Sequence, residues 1–140
     1  GAYGLGSMVA LHGLFLYSAG IFSAAFLAVL FAYPCIDILV TVSRRRIEGR
    51  SIFLPDNDHL HNRVHFHFQN WFRSKTVANS MTGVLIVSCS SGLALLGYNE
   101  AWWPVTSNQW AWLFLAQCFM YLSAFVMFGF GRPLSQHVIE

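Results

Sequence analysis

Residues 4–42 form one long apolar stretch, interrupted mainly by His12, Pro34 and Asp37. As a single helix it would be about 58 Å long, against a bilayer hydrocarbon core of about 30 Å. One span cannot use it all, but two can if the chain turns in the middle. Tyr17-Ser18-Ala19-Gly20 is the turn candidate. The expected spans are then 4–17 and 21–42, the first short and expected to begin upstream of Gly1. Two further apolar stretches follow, 77–96 and 110–130. The fold expected is all-α: a polytopic integral membrane protein with about four transmembrane helices.

Composition agrees. Hydrophobic residues make up 56% of the 140 residues and charged residues 10%, against about 45–50% and about 25% in an ordinary soluble domain. So few charges cannot build a solvated shell, and so apolar a chain cannot stay disordered.

Of the eight basic residues, seven lie between Arg44 and Lys75, and the eighth is Arg132. The Trp-rich connection at 97–109 has no Lys or Arg. The positive-inside tendency puts loop 43–76 and both ends of the chain in the cytoplasm. This pattern resembles a membrane loop and not a nucleic-acid surface, so no nucleic-acid partner is expected. Trp102, Trp103, Trp110 and Trp112 read as an aromatic belt. Gly1, Gly4, Gly6 and Gly13, then Ser80, Gly83, Ser88, Ser90, Ser91 and Gly92, are small residues suited to close helix packing. Cys35, Cys89 and Cys118 are widely spaced in apolar surroundings and read as free thiols. No basic n-region precedes the first apolar run, so no signal peptide is expected, and the missing initiator Met suggests a trimmed chain.

Pro34 is expected to kink or break the second span. A carboxylate in hydrocarbon is costly, so Asp37 must face protein or a polar mouth. Arg44, two helical turns on, is its expected ion-pair partner.

Four of the six histidines fall within nine residues: His59, His61, His65 and His67. On a helix His61 and His65 share a face. Asp56 or Asp58 is placed to cap that helix. Imidazoles beside arginines suit a phosphate or diphosphate, converging imidazoles suit a metal, and a plain interface role needs neither. The residue pattern leaves all three open.

A longer pattern adds to this reading. Pro34-Cys35-Ile36-Asp37, Arg44-Arg45-Arg46, Gly49-Arg50-Ser51-Ile52-Phe53-Leu54-Pro55-Asp56 and His59-Leu60-His61 together resemble the C-terminal signature of the polyprenyl-phosphate glycosyl-1-phosphate transferases, also called glycosyltransferase family 4. Gly1-Ala2-Tyr3-Gly4-Leu5-Gly6 looks like the continuation of that family's L-G-D-x-G loop. The family often has a third histidine where this chain has Asn62.

The resemblance implies the C-terminal part of a larger helical bundle in a bacterial inner membrane, inactive without its upstream half. It implies transfer of a sugar 1-phosphate from a UDP-N-acetylhexosamine-like donor to polyprenyl phosphate for envelope polysaccharide synthesis. Under it His59, His61, Arg63 and Arg50 contact phosphate, and Asp56, Asp37 and Asn62 support the loop. Mg2+ would be held by aspartates upstream of Gly1, with no metal ligand assigned within the chain. Membrane lipids are further partners, a homodimer is compatible with it, and His65 and His67 have no counterpart. Two rival expectations are a histidine-ligated membrane metalloenzyme and a non-catalytic membrane assembly module.

Overall fold

A computed structural model describes residues 2–51 and 58–129, with only the backbone of Ala2 and Tyr3. The described residues are helical, with no strand. Helix α1 is Ala2–Ser18, α2 is Ala24–Leu30, α3 is Ala32–Ile47 and α4 is Leu60–Trp71. Helix α5 (Lys75–Val87) runs through a π-helical turn, Ser88–Gly92, into α6 (Leu93–Asn99), and α7 is Trp110–Met127.

Local chemistry accounts for the breaks. Gly20, at φ +70°, ends α1 in a Schellman arrangement: the Ile21 amide donates to Leu16 O at 3.0 Å and the Gly20 amide to Tyr17 O at 3.0 Å. This is the expected turn. The expected break at Pro34 falls at Phe31, and α2 and α3 lie 82° apart. A continuous helix would drive the Pro34 ring into the Leu30 carbonyl and leave that carbonyl without a donor. In the first turn of a new helix Pro34 needs no N–H partner. Gly49, at φ +65°, closes α3 as Gly20 closes α1, with the Arg50 amide donating to Arg45 O at 2.9 Å.

Two helices are long and apolar enough to cross a membrane, Lys75–Asn99 and Trp110–Met127, and the bent pair α2–α3 makes up to three. The expectation of four full spans is corrected on two points. Helix α1 is apolar over Gly4–Ser18 but short. The second apolar run is divided at Phe31, because Pro34 prevents one straight rod. Position 130 of the expected fourth span and Arg132 lie outside the described residues.

These long apolar helices are apolar on the outside. Val84, Val87, Leu95, Trp112, Phe119, Leu122 and Val126 are all exposed, as a hydrocarbon solvent requires. Of the small residues expected inside, Ser90 is buried while Ser80, Gly83 and Ser88 face outward.

Two clusters form the interior. Phe26, Val29, Ala94 and Trp110 lock α2 to α6 and α7. Ser23 caps α2 by accepting the Phe26 amide at 3.0 Å, and its hydroxyl donates to Ser107 O at 3.0 Å. Ala32, Ile36, Leu60, Val64 and Tyr121 join α3, α4 and α7, and this second cluster carries the polar site.

Candidate functional site

The π turn ties the site's helices together. Widening the helix at 88–92 exposes backbone carbonyls that an α-helix would satisfy itself. Gln117 of α7 donates to Ser90 O at 3.1 Å and Cys89 O at 3.3 Å. Ser90 Oγ accepts the Tyr33 amide at 3.0 Å, satisfying one of the orphan donors in the first turn of α3. Tyr33 and, one turn on, Asp37 are thereby held beside α7.

Asp37 is buried, and its carboxylate gathers three groups, two from the start of α4 and one from α7. Oδ2 lies 2.6 Å from His59 Nδ1. Oδ1 accepts the Tyr121 hydroxyl at 2.5 Å and the Leu60 amide at 3.4 Å. The Leu60 amide opens α4, so a carboxylate from α3 caps that helix across the interface and sits at its positive end. The expected pair with Arg44 does not form. Arg44 turns instead to Asp58 at 3.4 Å and Glu48 at 3.7 Å, and Asp37 meets an imidazole already seated at the start of α4.

His61 follows a parallel arrangement. Its Nδ1 lies 2.9 Å from the Tyr33 hydroxyl, which also accepts the His61 amide at 3.3 Å. The rings of His59 and His61 are stacked, 5.5 Å apart and 9° from parallel. Partial burial holds the His61 pKa below its ordinary 6.5; Asp37 pulls the other way, while His59 and His65 add to the lowering.

Arg63 follows in the same helix. Its Nε and Nη2 grip Asp58 at 2.8 and 2.7 Å, and Nη1 donates to Phe125 O at 2.8 Å. The guanidinium lies 3.6 Å from the centre of the Phe125 ring. Arg50 is exposed and ion-paired with Glu48 at 3.4 Å. The Asn62 amide donates to His59 O at 3.1 Å within the first turn of α4. His65 keeps a buried Nδ1, and His67 packs on Phe128. Asp56 lies outside the described residues. His59, His61 and Asp37 are therefore brought together. Tyr33 and Tyr121 were missed: an isolated tyrosine in an apolar helix carries no sign of what its hydroxyl will meet.

Beside the polar cluster lies an apolar cavity of about 290 Å³. Ile36, Leu60, Val64, Met120, Ala124 and Phe128 line it, and both Tyr33 and Tyr121 form part of its wall. Each tyrosine thus faces hydrocarbon-like space along its ring and an imidazole or carboxylate at its hydroxyl.

Among the described residues no three His, Cys, Asp or Glu side chains converge to hold a metal. That overturns the histidine-ligated metalloenzyme. It also leaves a magnesium-binding role without ligands among these residues.

Comparison with family models, curated proteins and solved structures finds no match for this chain. The resemblance to family 4 glycosyltransferases is not sustained. A glycosyltransferase of GT-B architecture needs an α/β core with parallel sheets, and the described residues contain no strand. Sugar-1-phosphate transfer, and with it the reading of the chain as a transferase, falls with that assignment.

Proposed function

We propose that this chain is a membrane-spanning binding module for an anionic lipid. The headgroup, a phosphate, lies against the outer edges of His59 and His61, and the hydrocarbon chain enters the adjoining cavity. The observation that carries this reading is the shared wall: Tyr33 and Tyr121 line the apolar cavity while their hydroxyls hold His61 and Asp37. A ligand meeting both sides must be amphipathic, and a row of imidazoles near Arg44, Arg45 and Arg46 favours a negative head. The concentration of basic residues at 44–75 supports a cytoplasmic placement for the site. The Arg63–Asp58 pair braces the start of α4, and Arg50 adds to the basic charge of the connecting segment.

The test is equilibrium binding to the chain in zwitterionic nanodiscs. Dodecyl phosphate is expected to bind and neutral dodecanol to bind at least tenfold more weakly. Replacing both His59 and His61 by Ala should remove that preference. Equal retention of the two probes, or a preference untouched by the double substitution, refutes the headgroup site.

A further inference from the structure

The two imidazoles are held by opposite kinds of partner. Asp37 presents a carboxylate oxygen to His59 Nδ1 at 2.6 Å, and a carboxylate can only accept, so this Nδ1 carries the proton. In the neutral ring His59 Nε2 is then a lone pair. The Tyr33 oxygen already accepts the His61 amide, and the one hydrogen bond shown for the tyrosine's proton leads to His61 Nδ1. That Nδ1 is then the acceptor, and His61 Nε2 carries the hydrogen. Neither Nε2 has a hydrogen-bond partner among the described residues. The rings lie nearly parallel at 5.5 Å, so a lone pair and an N–H donor sit on stacked rings, next to Leu60 and Tyr33 of the cavity wall.

We propose that Asp37 and Tyr33 are positioning residues that fix His59 and His61 in opposite tautomers, and that the paired edge selects a phosphate monoester over a phosphodiester. The inference rests on the anionic-lipid reading and specifies its headgroup. A monoester near neutral pH still carries a P–OH in part of its population, since its second ionisation lies near pH 6. That O–H donates to His59 Nε2, and a P–O⁻ of the same group accepts from His61 Nε2–H. If the proton passes to His59, the P–OH bond to hydrogen breaks, an Nε2–H bond forms, and a dianion is left beside an imidazolium. A phosphodiester has no O–H to give. It satisfies His61 and leaves the lone pair of His59 facing an anionic oxygen.

Tyr121 and Leu60 complete the device. By donating to Asp37 Oδ1 they turn Oδ2 toward the imidazole. Tyr121 and Tyr33 also line the cavity, so a chain filling it packs against the two rings whose hydroxyls hold the headgroup site.

Nitrogen-15 NMR of the chain labelled at histidine, in micelles at neutral pH, reads the tautomers without any ligand. One ring is expected with Nδ1 protonated and its neighbour with Nε2 protonated; Tyr33→Phe should abolish the fixed assignment of His61 alone. The same tautomer in both rings overturns the inference whatever binds. The binding arm compares dodecyl phosphate with dodecyl methyl phosphate, a pair differing only in the O–H, and with inorganic phosphate. The monoester is expected at least tenfold tighter than the diester in the wild type and within threefold in Tyr33→Phe, with inorganic phosphate weaker than either lipid. Equal binding of the two lipids overturns the monoester selection but leaves the anionic-lipid site standing. Binding of neither lipid overturns both.

Discussion

His59 Nδ1 stands 2.6 Å from Asp37 Oδ2, although Asp37 lies within α3 and His59 immediately before α4, 22 positions apart. The other oxygen of the same carboxylate takes the hydroxyl of Tyr121, 84 positions away. One buried side chain thus joins α3, the start of α4 and the middle of α7.

The first prediction concerns this junction. Asp37→Ala leaves His59, Tyr121 and the Leu60 amide without their acceptor, and breaking such a buried network costs about 3–5 kcal/mol. Tyr121→Phe removes one donor and costs about 1–3 kcal/mol. Unfolding followed by α7 tryptophan fluorescence in micelles measures both. A loss below 1 kcal/mol for Asp37→Ala would show that the carboxylate is not a structural centre.

A second prediction follows from His61. Burial lowers its pKa from 6.5 in the folded chain, so the unfolded chain binds the proton more tightly. Its contribution is fully present above about pH 6.5 and is lost as the pH falls from there to the folded value. Besides burial, the groups acting on it are Asp37, His59 and His65. Melting temperature should therefore drop on acidification through that window, and His61→Gln should flatten the drop. Identical profiles for the two proteins would contradict the sign argued here.

Gly97 supplies the third. A methyl group there would lie 2.7 Å from Trp102 Cε3 and 2.9 Å from Trp110 Cη2. Trp110 is fully buried and cannot withdraw. Gly97→Ala should cost about 1–3 kcal/mol as overpacking, despite the better helix propensity of alanine. Gly83→Ala, in the same spanning helix and with open space around it, serves as the control and should be neutral or stabilising.

The fourth tests Arg63. Its bidentate grip on Asp58, its bond to the Phe125 carbonyl and its stacking over the Phe125 ring need a planar guanidinium. Arg63→Lys keeps the charge but loses the fork and should destabilise by about 1.5–3 kcal/mol. Stability equal to wild type in Arg63→Lys would reduce the residue's role to charge alone.

Much of the helical layout was legible because its causes are local. Gly20 ends α1 through a left-handed turn that glycine adopts easily, and Pro34 forces a restart within a few residues of itself. The histidine cluster was visible as a spacing, and His59 and His61 do come together. The Arg44 partnership was misread because it was inferred from one helix face alone. In the folded chain Asp58 reaches Arg44 and Arg63 together, while His59 takes the carboxylate of Asp37. The family reading failed for a different reason: a run of matching residues was not accompanied, among the described residues, by any strand of the α/β core of a GT-B glycosyltransferase.

From the residues alone came an all-helical chain of membrane-scale apolar segments, a turn at Gly20 and a basic, histidine-rich connection, because periodicity, composition and backbone preference act over a few residues. The packing of α3, α4 and α7 decided which hydroxyl meets which imidazole, where the cavity opens and how the 82° bend presents Tyr33 and Asp37. Those outcomes depend on groups as far as 84 positions apart, and only the burial of one helix against another fixes their distances.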